Sequence, residues 1–278
     1  MLRADALTLS GWLHDAEEVL RTAGCPSPRF DAERLAAHGL GLAWGDLWTR
    51  LRDELDPARL DGLLDRRRSG EPFGYIVGSV VFCGIEIECG PGVLVPRPET
   101  ETLVDVALEL IAERESPVVV DIGTGTGAVA IAIARARPDA EVWAADLSQD
   151  AVRYAERNVR GTNTRVRVVQ GDLYDALPTE LERRCDLVVS NPPYVPLGAE
   201  VGFDVGAEPH EAVYAGPVGD EMLKRLADGA ARWVSRGGHI AYEIGSPSQG
   251  RYDLPEDFGP WTTRFDHTGR PRVVWARR

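Results

Sequence analysis

The chain lacks several features that mark whole classes of protein. It has four cysteines in 278 residues and no Cys-x-x-Cys pair, so a disulfide framework or a thiolate metal site is not expected. No apolar run near its start reaches the length of a signal or membrane segment, because Trp12 and Leu13 are followed at once by a charged stretch. We therefore expect a cytoplasmic protein with no metal and no membrane partner.

Positive charge is also scarce relative to negative charge. The formal net charge is −13 and the isoelectric point is near 4.9. Such a balance argues against affinity that comes from phosphate neutralisation, so direct nucleic-acid binding is not expected. The five histidines are scattered along the chain, and we assign no general base. The length allows one large domain and one small one.

The four residues Asn191, Pro192, Pro193 and Tyr194 form the most informative motif, and they follow the apolar stretch 186–190. The asparagine side chain offers a carbonyl oxygen, and an Xaa-Pro step leaves a backbone carbonyl without a neighbouring N–H. Two acceptors on a rigid turn can bind both hydrogens of a planar NH2 group, against which the tyrosine ring can stack. The motif predicts a catalytic and substrate-binding turn for transfer of a carbon to a poorly nucleophilic nitrogen. Asn191 is expected to touch the cofactor as well.

A glycine-rich turn follows a predicted buried strand at residues 118–121 and precedes an apolar-periodic helix. After Asp121 and one further residue, the turn consists of Gly123, Thr124, Gly125, Thr126 and Gly127. Glycines at alternate positions let the backbone turn sharply and approach a ligand. The spacing differs from the Gly-x-Gly-x-x-Gly of dinucleotide sites, and an acidic residue ends the strand. These features favour S-adenosylmethionine over NAD, and we assign Asp121 and the turn to cofactor binding.

The next two predicted strands also end in residues suited to an adenosine. The strand at 141–145 ends at Asp146, whose carboxylate can accept hydrogen bonds from both ribose hydroxyls. The strand at 165–169 leads to Asp172 and Leu173, which can accept from the adenine amine and cover the ring. Ligands of open α/β sheets bind at the carboxyl ends of the strands, so these side chains should meet around one cofactor.

The order of these motifs resembles one family along nearly the whole chain. Besides the glycine turn and Asn-Pro-Pro-Tyr, the chain contains Gly-Val-Leu-Val-Pro-Arg-Pro-Glu-Thr-Glu at 92–101, Glu208-Pro209, Glu243-Ile244-Gly245, and Asp266 with Gly269-Arg270. This set is similar to the protein-(glutamine-N5) methyltransferases that modify peptide chain release factors, often called the HemK family. Asn-Pro-Pro-Tyr is shared with DNA adenine and RNA guanine N-methyltransferases. The Pro-Arg-Pro-Glu-Thr-Glu segment is the part that narrows the choice among these methyltransferase families.

The resemblance implies a reaction, a cofactor and a partner. A methyl group would pass from S-adenosylmethionine to the N5 amide nitrogen of a glutamine in the Gly-Gly-Gln motif of a release factor, leaving S-adenosylhomocysteine. Arg97 and Glu99 would lie over the cofactor cleft as supporting, substrate-binding residues. The amino-terminal module would help to dock the release factor, and we expect the enzyme to be a monomer.

The predicted fold is α/β, a Rossmann-like class I S-adenosylmethionine-dependent methyltransferase sheet of seven strands with a small amino-terminal helical domain. We place a helical bundle at 1–70, a β-hairpin linker at 71–95 and the methyltransferase domain at 96–278. The last three strands are predicted at 238–243, 261–266 and 270–275, the final two as an antiparallel pair.

Within the two smaller regions the patterns are specific enough to predict single elements. In the bundle, residues 45–55 form one of four amphipathic stretches. Trp44 and Trp48 could anchor a partner, but tryptophan at helical spacing is more often buried, so we expect both in the core. In the linker, alternation over residues 80–89 predicts a hairpin that turns at Gly84.

One segment departs from the family pattern. After Glu208-Pro209 the family usually has Ala-Leu-x-Gly-Gly-x-Asp-Gly, whereas this chain has a loop at Tyr214–Asp220 that contains Pro217. The loop borders the substrate side in the family, so the identity of the methyl acceptor is less firmly predicted than the reaction. The alternatives are an N-methyltransferase acting on another protein, on a small amide or amine, or on a nucleic-acid base. A non-catalytic interaction module is a further alternative, against which the intact Asn-Pro-Pro-Tyr argues.

Overall fold

The computed structural model describes residues 7–246, 249, 252–266 and 268–278. The chain divides into two compact units. The first contains the residues up to Gly78 together with Val201–Glu208, and the second contains Ser79–Glu200 and Pro209–Arg278. The helical unit was predicted to end at residue 70, whereas the first unit continues to Gly78. The hairpin, predicted as a separate linker, belongs to the second unit.

The first unit is a small helical bundle. Its elements are β1 (Leu7–Thr8), α1 (Leu9–Thr22), α2 (Pro28–Leu40), a 3₁₀ segment (Trp44–Arg50), β2 (Glu54–Leu55), α3 (Ala58–Arg68) and α4 (Phe73–Val77). Helix α1 begins where the Thr8 hydroxyl accepts a hydrogen bond from the Gly11 N–H, which caps the helix. Its apolar residues recur every three or four positions, so Trp12 and Leu13 face the core and are fully buried.

Two predictions for the bundle are wrong. Residues 45–55 do not form one α-helix: a 3₁₀ segment ends at Arg50, and Glu54–Leu55 pairs with β1. Three residues per turn place only Leu47 of this segment in the core, so Trp44 and Trp48 are 43% and 48% exposed.

A buried ion-pair cluster explains why residues 201–208 belong to the first unit. Arg67 of α3 donates hydrogen bonds to the carboxylates of Asp31 and Asp204, over 2.7 and 3.2 Å. Its guanidinium also lies 5.0 Å from the centre of the Phe203 ring. The Arg67 side chain is 3% exposed, so its charge depends on these partners.

The second unit is built on a seven-stranded sheet, as predicted. Its strands are β5 (Val118–Ile122), β6 (Glu141–Asp146), β7 (Val166–Gln170), β8 (Cys185–Ser190), β9 (Val234–Glu243), β10 (Thr262–Phe265) and β11 (Pro271–Arg277). The order is β10-β11-β9-β8-β5-β6-β7. Strands β5 to β9 are parallel, and β11 pairs antiparallel with both β9 and β10. The strand order reverses between β5 and β8, which is where ligands of such sheets bind.

Helices cover both faces of the sheet. They are α5 (Glu101–Leu110), α6 (Ala128–Ala136), α7 (Gln149–Thr162), α8 (His210–Val213) and α9 (Glu221–Trp233). Alternate side chains of β5 point to opposite faces. Val119 packs in a core with residues of α5 and α6, whereas Val120 packs in a second core with residues of α9.

The predicted hairpin is confirmed as β3 (Ser79–Phe82) and β4 (Ile85–Glu88). Ile85 and Ile87 are buried, and the chain turns at Cys83 and Gly84, both with positive φ. Asn158 of α7 fixes the hairpin to the second unit, since its amide bonds both the N–H and the C=O of Glu88 within 2.9 Å. In the part of the chain that the structure describes, no helix is both long and apolar enough to cross a membrane.

Candidate active site

A cavity of about 320 Å³ opens at the carboxyl ends of β5, β6, β7 and β8. Most of the predicted site residues lie in its wall: Asp121, Gly123, Thr124, Gly125, Thr126, Asp146, Asp172, Leu173, Asn191, Pro192 and Pro193. Four others lie outside the wall: Gly127, Tyr194, Arg97 and Glu99. The sequence motifs therefore converge on one cavity, although they are spread over about seventy residues of the chain.

The glycine turn is held from beneath by Asp121. Its carboxylate accepts hydrogen bonds from the Thr124 hydroxyl at 2.6 Å and from the Ala130 N–H at 3.2 Å, so it closes the turn onto the start of α6. Gly123 and Gly125 have φ of 70° and 56°. An added Cβ at Gly125 would meet no atom within 4 Å, so the bare backbone of the turn faces open space.

The carboxylate of Asp146 is fixed at the end of β6. One oxygen accepts from the Gly125 N–H at 2.8 Å and the other from the Ser148 N–H at 2.9 Å. Each carboxylate oxygen keeps a second lone pair, so the group can still accept two hydroxyl hydrogens from a ligand. Burial raises the pKa of Asp146, and the backbone N–H groups of Gly125, Ser148 and Leu147 oppose that rise.

The charge of the cavity wall is negative. Asp121, Asp146, Asp172 and Glu211 contribute carboxyl groups, while no Lys, Arg or His belongs to the wall as far as the structure describes the chain. Such a wall suits a ligand that carries positive charge and offers no cation to a pyrophosphate. Asp172 is also paired with Arg225 outside the wall, at 2.7 Å.

The Asn-Pro-Pro-Tyr turn follows β8 and is held by contacts to three other segments. The Asn191 amide nitrogen donates to the Thr100 hydroxyl at 3.1 Å, and the Tyr194 hydroxyl donates to Glu243 Oε1 at 3.3 Å. Gln249 donates to the carbonyl oxygens of Tyr194 and Gly219, at 2.7 and 3.0 Å. The Tyr194 hydroxyl is thus committed to Glu243, and its ring packs against the sheet core.

Three of the predicted site residues that lie outside the cavity wall are Gly127, Arg97 and Glu99. Gly127 caps α6 with φ of 82°, and an added Cβ would come within 3.2 Å of Ala155, so this glycine allows close helix packing. Arg97 is half-buried and precedes the 3₁₀ turn Pro98–Thr100, in which Glu99 is exposed. Burial raises the pKa of Glu243 and of Tyr194, and the charge of Glu99 adds a smaller contribution in the same direction.

Several residues of the site were not predicted. Thr100, Glu211, Leu147 and Met222 line the cavity, and Gln249 holds the Asn-Pro-Pro-Tyr turn. Thr100 lies inside the Pro-Arg-Pro-Glu-Thr-Glu segment, so that motif was the signal that could have revealed it. Gln249 lies outside the motifs considered, and its role depends on a backbone path that no local pattern encodes.

Comparison with known proteins identifies the family. A family model described as the methyltransferase small domain matches residues 84–207, and one described as the PrmC N-terminal domain matches residues 11–78. The release factor glutamine methyltransferase of Mycolicibacterium smegmatis is 41% identical, over 95% of this chain and 95% of its own. The chain belongs to the release factor glutamine methyltransferase family. It is therefore an enzyme of the S-adenosylmethionine-dependent methyltransferase class, as predicted.

Two further similarities bear on the fold and on the acceptor. The 4-amino-L-phenylalanine/4-methylamino-L-phenylalanine methyltransferase of Streptomyces pristinaespiralis is also 41% identical, over 88% of this chain and 86% of its own. The 16S rRNA N2 methyltransferase RsmC of Thermus thermophilus, solved with AdoMet and guanosine, has a TM-score of 0.52 at 23% identity. That match covers 72% of this chain and 49% of the other, and it supports the predicted class I fold.

The buried carboxyl group of Asp121 generates a pH-dependent prediction. Burial raises its pKa to about 7, whereas an aspartate in the unfolded chain ionises near pH 4. The folded protein therefore holds one more proton between these values, and stability falls as the pH rises through this window. Asparagine stays neutral and can still accept both hydrogen bonds. We therefore compare the unfolding free energy of Asp121→Asn with that of the wild type at about pH 5 and at about pH 8. Between these two pH values, the difference should shift by roughly 2–3 kcal/mol in favour of the variant.

Urea denaturation at the two pH values measures this difference. The exposed variant Asp175→Asn is the control, and it should change by the same amount relative to the wild type at both values. An equal difference for Asp121→Asn at both pH values would mean that Asp121 is already ionised in the folded protein.

Proposed function

We propose that this enzyme transfers a methyl group from S-adenosylmethionine to the N5 amide nitrogen of a glutamine in the Gly-Gly-Gln motif of a release factor. The observation that carries the proposal is the Asn191 turn, because Asn191 and Pro192 line an acidic cavity and the Asn191 amide nitrogen is bonded to Thr100, which leaves the amide oxygen to accept from a substrate. The same proposal assigns the reaction to the cytoplasm, to a monomer, and to a protein substrate rather than a nucleic acid.

The wall of the cavity fits S-adenosylmethionine, which supplies an electrophilic methyl group on a positively charged sulfur. Asp146 would accept from the ribose hydroxyls, since both of its oxygens keep a free lone pair. Asp172 and Leu173 would contact the adenine, and the bare turn at Gly123 to Thr126 would lie against the cofactor backbone. The carboxyl groups of the wall suit the positive charges of this ligand, and Asp121 supports the turn from behind.

The acceptor would be held by hydrogen bonds that favour the reacting state of its nitrogen. An amide nitrogen is a poor nucleophile because its lone pair is delocalised into the carbonyl group. Its two N–H groups would donate to Asn191 Oδ1 and to the Pro192 carbonyl oxygen. These bonds strengthen as positive charge develops on the nitrogen, so they stabilise the transition state more than the ground state. The turn therefore needs only to align the nitrogen, and no side chain is assigned as a general base.

A second acceptor class is a small aromatic amine. The Streptomyces pristinaespiralis relative, named for 4-amino-L-phenylalanine, supports it at the same identity as the release factor relative. An aromatic amine also presents a planar NH2 group, so the Asn191 turn alone does not separate the two acceptors. The atypical loop at Tyr214–Asp220 keeps this alternative open.

The exposed aromatic side chains of the first unit support a protein acceptor. Phe30 and Trp44 meet edge to face with ring centres 5.7 Å apart, and each is about half exposed. The guanidinium groups of Arg34 and Arg29 lie 5.9 Å from the ring centres of Trp44 and Trp48 respectively. Exposed tryptophan and arginine are the residues most enriched in the energetic centres of protein interfaces. We name this group the aromatic–arginine cluster.

The first prediction from this proposal concerns the cofactor. Asp146→Ala should weaken the affinity for S-adenosylmethionine without unfolding the protein, because each lost hydrogen bond to a charged group is worth about 1.5–3 kcal/mol. Isothermal titration calorimetry measures the change. Asp150→Ala, which removes a carboxylate outside the cavity wall, is the matched control and should bind normally. Unchanged affinity in Asp146→Ala would reject the ribose assignment.

The second prediction concerns Asn191. Asn191→Ala should reduce the single-turnover rate of methyl transfer by about a hundredfold, the scale seen when one transition-state hydrogen-bond partner is lost. Cofactor affinity should change little. Asn191→Asp should keep more activity than Ala, because its carboxylate still accepts from the acceptor nitrogen. An Ala variant with near-normal chemistry would move the active site away from this turn.

The third prediction tests the acceptor itself. With labelled S-adenosylmethionine, a purified release factor should gain one methyl group on the glutamine of Gly-Gly-Gln, as measured by mass spectrometry of the peptide. 4-Amino-L-phenylalanine and duplex nucleic acid should accept no label under the same conditions. Rapid labelling of the amino acid with an unmodified release factor would overturn the proposal in favour of the small amine.

The same assay tests the role of the aromatic–arginine cluster. A short Gly-Gly-Gln peptide should need a higher concentration than the intact release factor for half-maximal rate. Replacing both Trp44 and Trp48 by Ser should raise KM for the intact factor and leave the rate on the peptide unchanged. Equal effects on both acceptors would show that the cluster is not a docking surface.

A further inference from the structure

A buried carboxyl group lies behind the Asn191 turn. Glu243 is the last residue of β9 and is 1% exposed. Its Oε1 accepts a hydrogen bond from the Tyr194 hydroxyl at 3.3 Å, and the neighbouring Thr100 hydroxyl acts on the carboxyl group as a further donor that opposes the rise in its pKa. Its second oxygen, Oε2, is buried and has no hydrogen-bond partner among the described residues. Glu243 is not part of the cavity wall, so it can influence an acceptor only through its neighbours.

The chemistry of these groups fixes the direction of each hydrogen bond. An ionised carboxylate only accepts, so the Thr100 hydroxyl must donate its single hydrogen to Glu243. The Thr100 oxygen is then left with lone pairs and can only accept from a third group. Asn191 supplies that donor, because its amide nitrogen lies 3.1 Å from Thr100 Oγ1. Burial raises the pKa of Glu243, while the donors Thr100 and Tyr194 and the positive charge of Arg272 oppose that rise and favour the ionised carboxylate.

From this arrangement we infer that Glu243 is a positioning residue, which acts through Thr100 to select the amide orientation of Asn191 that presents its oxygen to the acceptor. The oxygen and nitrogen of an asparagine amide are nearly equal in shape, so packing alone does not choose between them. Rotation of the amide by half a turn would bring two acceptor oxygens together at Thr100. It would also turn the Asn191 NH2 group toward the NH2 group of the substrate, which is itself a donor and cannot accept a hydrogen bond from it.

The three segments involved explain why their motifs occur together in this chain. Thr100 ends the 3₁₀ turn in Pro-Arg-Pro-Glu-Thr-Glu, Glu243 begins Glu-Ile-Gly, and Asn191 begins Asn-Pro-Pro-Tyr. Thr100 is 4% exposed, so water does not compete strongly for its hydroxyl. This inference rests on the proposed role of Asn191 but not on which NH2-bearing acceptor is used.

The orientation itself can be observed without any acceptor. The chain has three asparagines, Asn158, Asn163 and Asn191, so protein labelled with ¹⁵N only in asparagine gives few side-chain NH2 signals. The Asn191 pair is assigned as the pair missing in Asn191→Ala. Its proton and nitrogen shifts should change in Thr100→Val, which removes the hydroxyl, and in Glu243→Gln. They should stay near the wild-type values in Thr100→Ser, which retains it.

Glu243→Gln is the sharper variant, because it keeps the shape of the side chain and reverses the hydrogen bonds. The new amide can donate to Thr100 Oγ1, which frees the threonine hydrogen to donate to Asn191 Oδ1. That reversal favours the non-productive orientation of Asn191. The Asn158 and Asn163 signals serve as internal controls and should not move in any of these variants.

Kinetics then test the consequence for methyl transfer. With the acceptor that the wild type methylates, Thr100→Val and Glu243→Gln should lower the single-turnover rate by about tenfold to a hundredfold, the scale expected for a misaligned reacting group. The affinity for S-adenosylmethionine should stay within about twofold, and KM for the acceptor should change less than the rate. Thr100→Ser should restore most of the rate.

The outcomes separate this inference from the proposed function. Unchanged Asn191 signals in both Thr100→Val and Glu243→Gln would overturn the inference whatever acceptor is used. A Thr100→Ser variant as slow as Thr100→Val would overturn it too, because the effect would then come from packing. If the release factor is not methylated by the wild type while the Asn191 signals shift as expected, the proposed acceptor fails and the positioning role stands.

Discussion

Two carboxylates hold the turn between β5 and α6, and the shape of the cavity depends on both. Asp121 anchors the turn to the first residues of α6, and Asp146 anchors it to the end of β6 through the Gly125 N–H. With the turn fixed at both ends, its glycines expose backbone rather than side chains to the ligand. Asp146 also contributes a carboxyl group to the acidic wall, so the same contacts bear on both the shape and the electrostatics of the site.

The acceptor side is organised by different contacts. Residues after Asn-Pro-Pro-Tyr pair with the atypical loop, since the Ala215 N–H donates to Val195 O at 3.0 Å and the Leu197 N–H donates to Gly216 O at 2.8 Å. Pro217 follows directly and has no N–H to donate. The pairing is unaffected, because it uses the Leu197 N–H and the Gly216 carbonyl oxygen. Val218, beside Pro217, is 64% exposed. The departure from the family pattern therefore changes the surface that the loop presents and leaves its attachment intact.

The sequence predicted the sheet and the convergence of its strand ends well, because buried parallel strands read as apolar runs and ligand residues follow directly after them. It failed where the partner lies far along the chain or where the local pattern is ambiguous. Trp44 and Trp48 have helical spacing, yet a 3₁₀ segment turns them outward. The attachment of residues 201–208 to the helical unit depends on Arg67, which meets Asp204 across 137 positions of sequence. The periodic patterns that predict helices and strands span only a few residues, so they cannot predict such a contact.

The choice of acceptor is the part of the function that the cavity determines least. Under the proposed function the Asn191 turn binds a planar NH2 group, and an amide side chain shares that feature with an aromatic amine. Two relatives at equal identity carry names that differ in this one respect. Discrimination between a glutamine amide and an aromatic amine must therefore come from surfaces outside the Asn191 turn. Two hydrogen bonds to an NH2 group do not distinguish the rest of the molecule that carries it. Under the proposed function, the aromatic–arginine cluster of the first unit and the exposed part of the loop at Tyr214–Asp220 in the second unit are surfaces of this kind. The loop backbone is tied to the Asn191 turn, because Gln249 donates to the carbonyl oxygens of both Tyr194 and Gly219. Exposed side chains such as Val218 can therefore vary with less effect on the alignment of the nitrogen than the backbone that holds the turn.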